Sequence, residues 1–178
     1  GLLTVRKVQS DSLREVSFFA SGGTALDVVM KDSIAYVASE LSGLWVLDVS
    51  DASRPRALSN IQNGGYAARV AVADSVVYVL NTTYRASDTT RGLWAISVSN
   101  LSHPNVLSHH VGIVRVTPAV QTNAIARLGT LFFISQNGGS YNDSTLEIVD
   151  VSNPSSPNQV SVVQGAYSPF DVAVKDSI

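Results

Sequence analysis

Apolar positions along the chain come in runs of four to six residues, rich in Val, Ile, Leu, Tyr and Phe, and each run is closed off by Gly, Asp, Ser, Asn or Pro. Such runs predict short β-strands, because β-branched and aromatic side chains pack well on a pleated surface. No stretch keeps a helical period over the roughly 10 to 12 residues that a core helix needs, so the pattern predicts an all-β chain. The runs also repeat. Asp27-Val28-Val29-Met30, Arg69-Val70-Ala71-Val72, Ala124-Ile125-Ala126-Arg127 and Asp171-Val172-Ala173-Val174 form one series. A second run follows each of the first three: Ile34-Ala35-Tyr36-Val37, Val76-Val77-Tyr78-Val79 and Leu131-Phe132-Phe133-Ile134. A third run, Gly43-Leu44-Trp45-Val46, Gly92-Leu93-Trp94-Ala95 or Thr145-Leu146-Glu147-Ile148, leads into Val49-Ser50-Asp51, Val98-Ser99-Asn100 or Val151-Ser152-Asn153. A fourth run follows Pro55, Pro104 and Pro157.

From Asp27 to Asp171 is 144 positions over three units, a mean period of 48. Four short antiparallel strands in such a period fit one blade of a β-propeller. The units fall at approximately 1–24 (partial), 25–66, 67–121, 122–167 and 168–178 (partial). The expected architecture is one β-propeller segment of four-stranded antiparallel blades, about three of them complete, with pieces of two more. Gly1-Leu2-Leu3-Thr4 aligns with the third run, and Val5-Arg6-Lys7-Val8 replaces the Val-Ser-Asp phrase after it. A blade is apolar on both flanks and stacks on its neighbours. The rest of a propeller, or a second copy of the chain, is therefore expected to cover the outermost blades.

Leu146-Glu147-Ile148-Val149-Asp150, Asp171-Val172-Ala173-Val174 and Leu47-Asp48-Val49-Ser50-Asp51 resemble the LVIVD-repeat β-propellers of bacterial and archaeal cell-surface proteins. The resemblance implies a propeller and an extracellular, cell-surface or periplasmic location. The motif is specific for the repeat and not for any activity.

Spacing between the runs separates two edges of each blade. On one edge it is constant: Asp27 to Tyr36, Arg69 to Tyr78 and Ala124 to Phe133 are all 9 apart, and Leu44 to Pro55, Leu93 to Pro104 and Leu146 to Pro157 are all 11. On the other edge it varies: Val37 to Gly43 is 6, Val79 to Gly92 is 13 and Ile134 to Thr145 is 11, while Pro104 to Ala124 is 20 against 14 for Pro55 to Arg69. Per-repeat insertions gathered on one face mark a binding face, although surface loops also tolerate drift at little cost. The insertions are polar with scattered aromatics, and the candidate binding residues are Tyr84, Arg85, Asp88, Arg91, Gln121, Asn137, Tyr141 and Asp143. Asp27, Arg69 and Asp171 lead the first runs and are expected at the mouth of a central channel on that face. Carboxylates beside a guanidinium there can hold a cation, a sugar or a peptide, or can close the ring as an ion pair.

Composition narrows the field. The 178 residues carry a net charge of −2, with 45% hydrophobic and 15% charged residues and no cysteine. Phosphate binding by a basic surface has no support, no apolar run approaches the about 18 residues of a membrane helix, and thiol and disulfide chemistry are excluded. No Gly-x-Ser-x-Gly elbow is present. His109 and His110 are neighbours on a strand and point to opposite faces. No cofactor is predicted. Calcium is the one cation considered, but Asp143 and its neighbours lack the spaced acids of a calcium loop. Trp45 and Trp94 share one repeat position and are expected between blades, as are Tyr36, Tyr78 and Phe133. Asp48 and Asp150 are expected to cap the turns that follow them. The sequence thus reads as a non-enzymatic extracellular or cell-surface propeller binding protein or glycan through its long-loop face. The alternative is a hydrolase or lyase at the channel mouth built on Asp27, Asp171 and Arg69.

Overall fold

Two-residue turns join the first strand of each unit to the second, and each turn opens with a left-handed residue: Asp32 (φ 54°), Asp74 (φ 52°) or Gly129 (φ 59°). Gly adopts this conformation freely and Asp tolerates it, which reverses the chain tightly enough to pair neighbouring runs. The wider turn between third and fourth strands is held from within. The Asp48 carboxylate accepts from Ser50 N–H at 3.0 Å and the Asp150 carboxylate from Ser152 N–H at 2.9 Å. In the middle unit Ser97 takes this place and meets the Ser99 hydroxyl at 2.7 Å. The Ser50 hydroxyl, which donates to Asp48 Oδ1 at 2.6 Å, does most to hold that carboxyl below the usual carboxylate range, with the Ser50 N–H adding to it, and the Ser152 N–H does most for Asp150.

The computed structural model describes residues 2–9, 12–62, 64–82, 92–110, 121–137, 144–165 and 171–175. Among them are fourteen strands and no helix, so no helix is long and apolar enough to cross a membrane. A hairpin comes first, β1 (Leu2–Gln9) and β2 (Ser12–Ala20). Three four-stranded sheets follow: β3 (Asp27–Lys31), β4 (Ile34–Ala38), β5 (Leu44–Asp48) and β6 (Arg56–Ile61); β7 (Tyr66–Ala73), β8 (Val76–Thr82), β9 (Gly92–Ser97) and β10 (Asn105–His110); β11 (Gln121–Leu128), β12 (Leu131–Asn137), β13 (Thr145–Asp150) and β14 (Asn158–Gln164). Each sheet is an antiparallel meander in chain order. The expected spacing holds in the registers: Tyr36 stands opposite Val46, Tyr78 opposite Ala95 and Phe133 opposite Ile148.

Two local expectations change. Without the Val-Ser-Asp turn, the first hairpin runs on: Leu2 to Gln9 pairs with Ser12 to Ala20 as two long strands. The strand read over Asp171–Val174 joins no sheet. A first strand is held by a second, and no second run follows it within these residues. Its local geometry nevertheless matches the first unit, because Val172 N–H donates to Asp171 Oδ1 at 2.8 Å and Val28 N–H to Asp27 Oδ1 at 2.9 Å.

The sheets stack flank to flank, with β3, β7 and β11 side by side. Tyr36, Leu44 and Val46 of the first sheet interleave with Val77, Val79 and Ile96 of the second. Tyr78, Leu80, Leu93 and Ala95 of the second meet Phe132, Ile134 and Val149 of the third. Burying each large aliphatic side chain stabilises by about 1.5–3 kcal/mol. The Tyr78 ring meets Phe132 edge-on, centroids 4.7 Å apart and planes at 88°, a geometry worth about 0.5–1.5 kcal/mol beyond burial. One polar contact recurs at every wall. Ser17 Oγ donates to Ala52 O at 2.6 Å, Ser59 Oγ to Leu101 O at 2.7 Å and Ser108 Oγ to Pro154 O at 2.6 Å.

Candidate functional site: the variable edge and the walls beneath it

Alternation of turns in a meander fixes which connections share an edge. The two-residue turns and the Val-Ser-Asp turns lie on one edge of each sheet. The connections β4–β5, β6–β7, β8–β9, β10–β11 and β12–β13 lie on the other. The long segments 83–91, 111–120 and 138–143 therefore all leave the same edge. Tyr84, Arg85, Asp88, Arg91, Tyr141 and Asp143 lie outside the described residues. Gln121 and Asn137 are placed by their strand backbones, opposite each other at the variable end of the β11–β12 ladder.

Asp27 lies against β7, the strand that carries Arg69, and has a structural task there. Its Oδ1 accepts from Val28 N–H, and its Oδ2 accepts from Val70 N–H of the second sheet at 2.9 Å. The half-buried carboxylate thus links two blades beside Arg69. Arg69 Nη1 donates to Ala68 O at 2.8 Å. Asp171 is exposed and stands outside the sheets.

The same edge carries a rigid acid that sequence reasoning passed over. Glu40, between β4 and β5, has φ 43°, an uncommon conformation for a residue of its size. Its N–H donates to Ala67 O and its carbonyl accepts from Ala67 N–H, each at 3.1 Å. Oε1 accepts from Tyr66 Oη at 2.6 Å and Oε2 from Thr24 N–H at 3.3 Å. The Tyr66 hydrogen bond, more than any other contact, holds the Glu40 carboxyl below its usual range. Leu41, the next residue, is exposed. A carboxylate with both oxygens anchored beside an exposed aliphatic is an ordered patch that can contact a ligand. Its sequence signal is faint: one acid in an uninserted loop, and a tyrosine after Gly64-Gly65.

Below this edge, Gly43 closes the loop against the fourth strand. Its φ is +74°, and a Cβ there would lie 2.2 Å from Ile61 O, so only glycine fits.

The walls between blades follow a series. Trp45 meets Phe19 edge-on at 5.2 Å and donates through Nε1 to Ser21 O at 2.9 Å. Trp94 packs in the second wall with Ile61 and stacks on His109 at 4.0 Å. The third member is Glu147, which stands opposite Ile134 as the tryptophans stand opposite Val37 and Val79. Glu147 is 2% exposed. Its Oε2 accepts from Gln136 Nε2 at 3.2 Å and its Oε1 from Gln159 Nε2. Burial pushes its carboxyl up to about 8, and the Gln136 hydrogen bond opposes this only in part. His110 holds the repeat position of Phe19 and Ile61, and burial, with the charge of His109, lowers its pKa. Among the described residues, no three His, Cys, Asp or Glu side chains converge as a metal would require.

Four-stranded antiparallel meanders stacked flank to flank, with their first strands adjacent, define a β-propeller. The LVIVD repeat matches residues 22–62 and 140–164, in the first and third blades, so the chain carries LVIVD repeats. The computationally designed Ika4 protein is similar, with TM-score 0.59 at 10% identity over 86% of this chain and 81% of that one. The computationally designed Ika8 protein gives TM-score 0.56 at 11% identity over 85% of this chain. The match spans 40% of the Ika8 chain. These are likenesses of fold alone. No curated protein matches the sequence.

Proposed function

We propose that this propeller is a non-enzymatic extracellular or cell-surface module that binds a protein or a glycan through the edge from which its long connections leave. The observation that carries the reading is the one-sidedness of the insertions: segments 83–91, 111–120 and 138–143 share an edge, while the opposite edge keeps two-residue and seven-residue turns in every complete blade. Drift alone has no reason to spare one edge. The Glu40–Tyr66 pair and exposed Leu41 add ordered polar and apolar contacts on that edge. Asp27, needed as a reacting group by a hydrolase at the channel mouth, spends both carboxylate oxygens on backbone N–H groups. This favours the binding reading.

The test uses a glycan array and a panel of secreted proteins, probed with the wild-type chain and with two variants. In one, 83–91 and 138–143 are shortened to the length of the β4–β5 connection. In the other, Tyr84 and Tyr141 are replaced by alanine. The expected result is a bound ligand for the wild type, with binding weakened at least tenfold in both variants while the thermal transition is kept. Binding that survives both changes would overturn the proposal.

A further inference from the structure

Between β4 and β5 the chain turns back through Glu40-Leu41-Ser42 before Gly43. The loop stands on the variable edge of the first sheet. Beneath it the middle strands of that sheet are covered on both flanks. Trp45 meets Phe19 of the first hairpin, and Leu44 and Val46 pack with Val77 and Val79 of the second sheet. The loop itself is open, and Leu41 is 76% exposed.

Two observations at this loop point to one chemistry of ligand. The first is charge. The Tyr66 hydroxyl above all, with Thr24, keeps the Glu40 carboxyl ionised. Among the described residues no lysine or arginine lies within ion-pair distance of it. Oε1 accepts from Tyr66 and Oε2 from the Thr24 N–H, while a carboxylate offers about four acceptor sites. One site on each oxygen remains, and a guanidinium fork uses two such sites in parallel. The second observation is pre-organisation. Glu40 is the second residue of a turn closed by Ser42 N–H on Ser39 O at 2.8 Å, and its φ of 43° favours Gly, Asn or Asp at that position. The two-way backbone bridge to Ala67 fixes its main chain, and Tyr66 fixes its carboxylate. A partner meets a charge already in place, so little side-chain freedom is lost on binding. A neutral sugar would leave that charge uncompensated and would set hydroxyls against the exposed aliphatic of Leu41. A peptide can match the acid with a cation and the leucine with an apolar side chain.

We propose that this loop receives an arginine of a protein partner, with Glu40 taking the guanidinium and Leu41 packing against an apolar residue beside it. The inference rests on the binding role proposed for the variable edge. It narrows the ligand from protein or glycan to a protein carrying that basic and apolar pair.

The test selects binders from a random-peptide library displayed on phage, with the 178-residue chain as bait, and measures the recovered peptides by fluorescence anisotropy. They are expected to be enriched in arginine beside an aliphatic or aromatic residue. Citrulline, the neutral isostere, in place of that arginine is expected to weaken binding about tenfold. Glu40→Gln, which keeps the size of the side chain, is expected to weaken the arginine peptide by the same factor and to leave the citrulline peptide unchanged, because the two changes remove one shared contact. Leu41→Ser alters an exposed side chain and is expected to keep the wild-type thermal transition while weakening the peptide about fivefold. Recovered peptides without arginine, Glu40→Gln or Leu41→Ser chains that bind like the wild type, citrulline and Glu40→Gln effects that simply add, or a library that yields no binder would each overturn the inference. The edge itself is judged separately by the shortened 83–91 and 138–143 variant. A ligand, peptide or glycan, that is lost on shortening but indifferent to Glu40→Gln would leave the edge in place and remove the arginine.

Discussion

Glu147→Gln tests the electrostatics of the third wall most directly. The side chain is buried where the other walls hold tryptophan, and glutamine keeps its size and hydrogen-bonding reach while removing its ionisation. The folded carboxyl holds its proton up to about pH 8, against 4.5 in the unfolded chain. A folded pKa raised in this way supplies stability that is complete below about pH 4.5 and is lost as pH rises through 8. His110, with a lowered folded pKa, works in the opposite sense below its ordinary 6.5, so the clean window lies between about pH 6.5 and pH 8. Across that window Glu147 costs the folded state about 1.4 kcal/mol per pH unit, or about 2 kcal/mol in all. For a chain of this size that lowers Tm by about 4–8 °C. Thermal unfolding followed by circular dichroism at pH 6.5 and pH 8 should show this drop in the wild type and its absence in Glu147→Gln. Equal pH dependence in the two proteins would refute the assignment of a buried, neutral carboxyl between the second and third blades.

Other outcomes follow from the same contacts. Gly43→Ala puts a Cβ onto Ile61 O at a left-handed φ and should cost at least about 2–3 kcal/mol or abolish folding, read as a fall in the urea midpoint. Ser108→Ala removes the hydroxyl that reaches Pro154 O and should cost about 1 kcal/mol in urea unfolding. Asp27→Ala leaves Val28 and Val70 N–H groups without their carboxylate and should cost about 1–3 kcal/mol, with faster amide exchange at Val70 as the specific sign that the joint between sheets has loosened. Glu147→Trp, which restores the repeat residue, should either stabilise the chain or, where the wall cannot open for the larger ring, lower Tm. In either case the pH dependence between 6.5 and 8 should vanish.

What the sequence determined by itself was whatever repeats locally. Strand identity came from run length and β-branched content. The shared position of Trp45 and Trp94 came from the period of the units. Strand pairing in a meander joins neighbours in the chain, so a 48-residue period carries nearly all of each sheet. The two-edged spacing was legible for the same reason, and it holds the binding hypothesis. Tertiary structure alone decided what each repeated position touches across a wall. Asp27 reads as a mouth carboxylate, yet it accepts a hydrogen bond from Val70, 43 positions away. Glu147 reads as one letter of a consensus motif, yet stacking the second sheet over it removes it from water and raises its pKa. Asp171-Val172-Ala173-Val174 has the composition of a strand but joins no ladder, because a strand is a property of a pair. Propensity and period belong to one segment; burial and hydrogen-bond partners belong to two segments that meet only when the blades stack.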